Sequence, residues 1–114
     1  MIRFNKTKSI FSLIVLDLDK LKNANNIYGH SLGDEILKTV TKYVHMRIRK
    51  TNTFARWSGD EFMLILPYTN VINAANLAEE IRLSLNQKQV DKVFGIKASF
   101  KVLEYTLSDN EDTI

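Results

Sequence analysis

The chain has 114 residues, 45% of them hydrophobic and 25% charged, carries a net charge of +3 and contains no cysteine. This composition suits one ordinary globular domain over residues 1–114 and excludes disulfide frameworks, thiolate zinc sites and cysteine nucleophiles. No apolar run approaches the roughly 20 residues of a membrane span, no secretory leader opens the chain, and the only basic cluster, Arg47, Arg49 and Lys50, is too small for a nucleic-acid surface.

The expected domain is therefore cytoplasmic and makes no membrane or nucleic-acid contact of its own, which is compatible with a membrane-attached parent protein. Ser12-Leu13-Ile14-Val15-Leu16-Asp17-Leu18 is short, apolar and followed by polar residues, the pattern of a buried central strand ending in Asp17 and Asp19. Ser31-Leu32-Gly33-Asp34 resembles a capping box, and Ile36, Leu37, Val40, Tyr43, Val44 and Ile48 then recur at helical spacing. This predicts a helix from about Gly33 to Arg49.

Thr53–Trp57 and Glu61–Leu66 read as two strands joined by the tight connection Ser58-Gly59-Asp60. A second amphipathic helix is predicted over Asn70–Leu85, and a final alternating strand over Gly95–Leu103. The order β-α-β-β-α-β is that of an α+β, ferredoxin-like (palm-like) core with a mostly antiparallel sheet and helices packed on it. Right-handed crossovers then set the first and third strands side by side and antiparallel at the sheet centre.

That topology brings Asp17 and Asp19 beside the hairpin acids Asp60 and Glu61. Taken singly, each acid reads more readily as an ordinary turn or cap residue. Four converging carboxylates, however, need a compensating cation, and hard oxygen ligands favour magnesium completed by nucleotide phosphate oxygens. Such a site suits nucleotidyl transfer. A calcium-binding EF-hand is excluded, because Leu21 and Lys22 stand where that loop needs an oxygen ligand and a glycine.

Two segments, the run from Leu16 to Asp34 (LDLDKLKNANNIYGHSLGD) and Arg56-Trp57-Ser58-Gly59-Asp60-Glu61-Phe62, resemble the two signatures of GGDEF-domain diguanylate cyclases. The resemblance implies an enzyme that condenses two GTP into cyclic di-GMP in bacterial signalling. It works as a homodimer and is commonly joined to a sensor or regulatory domain. By position, Asp17, Asp60 and Glu61 would be the catalytic acids and, with the Leu18 carbonyl, would hold two Mg2+ (or Mn2+) ions per site; one hairpin carboxylate would help activate the 3′-hydroxyl. Lys22 and the backbone near Lys20 and Leu21 would contact the phosphates, Gly59 would lie against the nucleotide, and Asn25 and Asp34 would read guanine. An amide and a carboxylate suit the edge of guanine and not that of adenine. His30 fits a structural role, as no nucleophile motif accompanies it.

Several positions depart from the family pattern. Ser58 replaces the first glycine of the hairpin signature, which matters if that position needs a positive φ or a close approach to the nucleotide. Leu21 replaces the usual phenylalanine and Asn26 the usual aspartate. The product-inhibition motif RxxD reads Arg49-Lys50-Thr51-Asn52, so feedback binding of cyclic di-GMP is expected to be weak or absent. Relative to the family the domain is expected to be shortened at both ends, with only Met1–Ser9 before Ile10 and with Ser108-Asp109-Asn110-Glu111 resembling the cap of a further helix. A catalytically degenerate domain acting as a GTP-binding regulatory or interaction module is the alternative reading.

Overall fold

A computed structural model describes residues 8–19, 30–90 and 93–108. The expectations for Lys20, Leu21, Lys22, Asn25 and Asn26, for the segment before the first strand and for the cap at 109–111 lie outside the described residues. In chain order the elements are β1 (Lys8–Leu18), α1 (His30–His45), β2 (Thr53–Arg56), β3 (Glu61–Pro67), α2 (Val71–Asn86), β4 (Gln89–Val90), β5 (Val93–Phe94) and β6 (Ala98–Ser108). Strands β2, β3, β1 and β6 form one sheet in that order, and every neighbouring pair is antiparallel. The expected α+β, ferredoxin-like arrangement is present, with β1 and β3 paired at the centre.

The period of two along β1 divides the sheet. Ile14, Leu16 and Leu18 are buried with Phe62, Leu64 and Leu66 of β3, against Ile36, Val40 and Val44 of α1 and Ala74, Ala78, Ile81 and Leu85 of α2. Ser12, the buried polar residue on this face, donates its hydroxyl to the Thr69 carbonyl at 2.7 Å. On the opposite face Phe11, Leu13 and Val15 are half-buried, and Phe11 stacks on Tyr105 with ring centroids 5.2 Å apart.

Both helix boundaries differ from the expected ones for reasons of packing. Helix α1 begins at His30, so Ser31 lies inside the first turn and does not precede it as a cap. Leu32 is buried and starts the i, i+4 stripe that Ile36, Val40 and Val44 continue, which extends the helix toward its N-terminus. The helix stops at His45, where the Arg47 amide turns to the Val44 carbonyl at 2.9 Å. Ile48 still packs against the core from the turn that follows. In α2, Asn70 is the N-cap, its side chain accepting from the Asn73 amide at 2.8 Å.

The small β4–β5 hairpin was not expected, and the last strand begins at Ala98 and not at Gly95. Gly95 takes φ +86°, and its amide donates to the Lys88 carbonyl at 2.7 Å. The Ile96 amide is drawn to the Leu85 carbonyl at 2.9 Å, so the chain is held to the end of α2 before it can enter the sheet.

Candidate active site

At one end of the sheet, Asp17 faces Glu61 across the β1–β3 register and Ser99 across the β1–β6 register. The next residue, Leu18, donates its amide to the Asp60 carbonyl at 2.9 Å. Asp17, Asp60 and Glu61 are thereby gathered at one place by ordinary strand pairing. Asp17 is held above its ordinary pKa of 3.8, first by burial and then by the negative charges of Asp60, Glu61 and Asp19.

Asp19 is close enough to act on Asp17 but is engaged elsewhere. Its amide donates to the Lys97 carbonyl at 2.9 Å, and its carboxylate accepts from the Ser99 hydroxyl at 3.0 Å. It lines a separate cavity of about 240 Å³ together with Arg82, Asn86 and Lys97. Of the four acids expected to converge, Asp17 of β1 lies beside Asp60 and Glu61 of the hairpin, and Asp19, near enough to act on Asp17, bonds toward β6.

The hairpin tip is a closed set of backbone bonds. The Glu61 carbonyl accepts from the Trp57 amide at 2.7 Å and the Ser58 amide at 3.2 Å. The Ser58 hydroxyl lies 3.2 Å from a Glu61 carboxylate oxygen, to which it donates. Arg56 folds back over the tip, donating from Nε and Nη2 to the Gly59 carbonyl at 3.1 and 2.7 Å and from Nε to the Ser58 carbonyl at 3.2 Å. Ser58 does not take a positive φ; among the described non-glycine residues only Tyr68 does. The backbone shape here therefore tolerates serine in place of glycine. A Cβ added at Gly59 would meet open space.

Asp34 is exposed in the second turn of α1, one turn before Leu37 and Lys38. Those two residues line a cavity of about 480 Å³ that reaches Arg56 and Phe62 beside the hairpin. Arg56 and Ser99 are the site neighbours that had no role assigned from sequence. The register makes Ser99 legible once β6 is placed, and Arg56 stood inside the quoted signature, two residues before a tight turn whose carbonyls need donors.

The donor chemistry suits a divalent cation, since three hard carboxylates adjoin and one already resists ionisation, through burial first and the charge of the others second. Among the described residues, no group of three acidic or imidazole side chains closes on a common point tightly enough to hold an ion. The acids are gathered without forming a finished coordination shell.

Comparisons with known proteins bear on the family and the fold. The family described as diguanylate cyclase, GGDEF domain, matches residues 1–112. The chain is 34% identical over 104 residues to the diguanylate cyclase DgcM of Escherichia coli, a match covering 91% of this chain but 25% of DgcM. It thus spans about a quarter of that relative's length. The structure of the active GGEEF domain of a diguanylate cyclase from Vibrio cholerae superposes with a TM-score of 0.80 at 30% identity, covering 84% of this chain and 62% of that one. The GGDEF domain of DgcB from Caulobacter crescentus, solved in complex with c-di-GMP, gives 0.79 at 26% identity over 85% of this chain and 60% of that one. With the palm-like sheet, the acid-bearing hairpin and a family match over nearly its whole length, this chain belongs to the GGDEF domain family of diguanylate cyclases.

Proposed function

We propose that the chain is a catalytic domain that condenses two GTP into cyclic di-GMP with release of two pyrophosphates. The observation that carries this reading is the placement of Asp17 opposite Glu61, with Asp60 bonded to the neighbouring Leu18, in a chain of this family. Each GTP 3′-hydroxyl attacks the α-phosphorus of the other nucleotide, a new P–O bond forms as the bond to pyrophosphate breaks, and the hydroxyl proton passes to a hairpin carboxylate. Asp17, Asp60, Glu61 and the Leu18 carbonyl would hold Mg2+ or Mn2+, two ions per site. When bound, the ions lower the hydroxyl pKa and neutralise charge on the phosphate in transfer. Asp17 resists ionisation in the chain alone, which is what an adjoining cation would relieve.

Lys22 and the backbone of Lys20, Leu21 and Gly59 are assigned to the phosphates, and Asn25 and Asp34 to guanine. Asp34 is exposed on the helix whose next turn lines the cavity beside the hairpin, consistent with that role. One domain presents one nucleotide, so the working form is a homodimer. The chain's small share of DgcM supports a parent protein with a further sensor or regulatory domain. No helix among the described residues is long and apolar enough to cross a membrane, and we assign the domain to the cytoplasm, where GTP is available.

The test is incubation of the purified chain with GTP and Mg2+, followed by chromatography for cyclic di-GMP, with an Asp60→Ala, Glu61→Ala variant as control. Product that disappears in the control is expected. The unclosed carboxylate set among the described residues favours one second reading, a GTP-binding regulatory module without turnover. Nucleotide binding in the absence of product would establish that reading instead.

A further inference from the structure

The carbonyls of Ser58, Gly59, Asp60 and Glu61 all accept hydrogen bonds, but from different sources. Asp60 and Glu61 are served by backbone amides, of Leu18 for the first and of Trp57 and Ser58 for the second. The Ser58 and Gly59 carbonyls are served by one side chain, that of Arg56. This arginine is exposed, and fixing so flexible a side chain on a surface costs conformational entropy. Nor does it neutralise the neighbouring acids: the ion pairs among the described residues are Lys38 with Glu35 and Arg82 with Glu79. Its charge is directed to the backbone, and the acids are left available.

We propose that Arg56 is a positioning residue that braces the hairpin tip so that Asp60 and Glu61 are presented in a fixed orientation to a metal-bound nucleotide, a role that rests on the cyclase reading above. The geometry needs a fork. Two donor nitrogens on a rigid plane reach two successive carbonyls at once, which the single ammonium of a lysine does poorly. Gly59 makes the brace useful, because it has no side chain and a Cβ built there would touch nothing, so no side-chain packing restricts it. With Arg56 gone, the Ser58 and Gly59 carbonyls lose their donor, and the tip keeps only the backbone bonds at its two ends.

The experiment compares the wild-type chain with Arg56→Ala and Arg56→Lys in three measurements: amide exchange at Trp57, Ser58 and Leu18, Mn2+ binding by electron paramagnetic resonance, and cyclisation kinetics. Arg56→Ala should speed exchange at those amides while leaving the melting temperature unchanged. It should weaken Mn2+ binding and lower kcat by about 10- to 100-fold, the usual cost of losing an outer-shell partner, with KM for GTP unchanged. Arg56→Lys should recover only part of the loss. Unchanged exchange or unchanged Mn2+ affinity would overturn the brace, and a rise in KM as large as the fall in kcat would make Arg56 a substrate ligand. If the wild type binds Mn2+ but yields no product, the cyclase reading fails while the brace is still judged by Mn2+ affinity. A wild type that binds no Mn2+ overturns the brace, since nothing would be positioned.

Discussion

At the scale of single residues, the role proposed for Asp17 ties stability to function with opposite signs. Its carboxyl titrates above 3.8 in the folded chain, so the native state holds the proton more tightly than the unfolded state does. Stability therefore falls as pH rises from about 3.8 through the raised folded value, and above that value the whole penalty is present. Asp17→Asn removes a charge that the neighbouring acids oppose. It should raise the melting temperature at neutral pH and flatten the pH dependence in that window. The same change should cut cyclic di-GMP formation by more than the roughly 100-fold that bounds the loss of an outer-shell partner. Adding Mg2+ should stabilise the wild type and leave the variant unmoved, and thermal melts across pH with and without the ion check both signs. Asn52 carries a second residue-level expectation. Its side chain accepts from the Arg49 amide at 2.9 Å and its own amide donates to the Arg49 carbonyl at 3.0 Å, so it closes the turn without supplying a carboxylate. Calorimetry with cyclic di-GMP should show weak or no binding near Arg49, and Asn52→Asp should strengthen it.

Among the elements, the caps and turns give measurable stability effects. Asn70→Ala removes the acceptor for the Asn73 amide and should cost about 1 kcal/mol in urea unfolding. Gly95→Ala should cost about 1–2 kcal/mol from the left-handed backbone alone, with further crowding because the new Cβ would lie 3.1 Å from the Asn86 carbonyl oxygen. The strand and helix order was legible because apolar periods of 2 and 3.6 are written directly into β1, β3, α1 and α2. The pairing of Asp17 with the hairpin followed from the β-α-β-β-α-β order, read as a ferredoxin-like arrangement with right-handed crossovers. What sequence could not supply came from long-range contacts. The start of α1 is set by burial of Leu32, and the delayed start of β6 by a bond from Ile96 back to Leu85. Residues 89–94 are too short a hairpin for any period to register. In the same way Asp19 was expected to converge with Asp17 because both stand at the end of the first strand, yet its hydrogen bond to Ser99 depends on β6, eighty residues later in the chain.

For the molecule as a whole, the sheet gathers one set of acids at one end, whereas the proposed ring closure between two GTP molecules would need two sites facing each other. Each chain carries a net charge of +3, so approach of a second copy is opposed at long range and the opposition weakens as salt shortens the Debye length. The rate per chain should therefore fall with dilution, and at a fixed low protein concentration it should first rise with added salt. A monomeric reaction would show neither trend. Trp57, the chain's single tryptophan, is 70% exposed beside the acids and reports on the encounter without a label. If two hairpins meet, its emission should move to shorter wavelength when GTP and Mg2+ are present, and the shift should deepen with protein concentration. A shift that appears at every concentration alike would instead place Trp57 against the nucleotide of its own domain. No shift with undiminished product would mean that the two copies meet through another part of the surface.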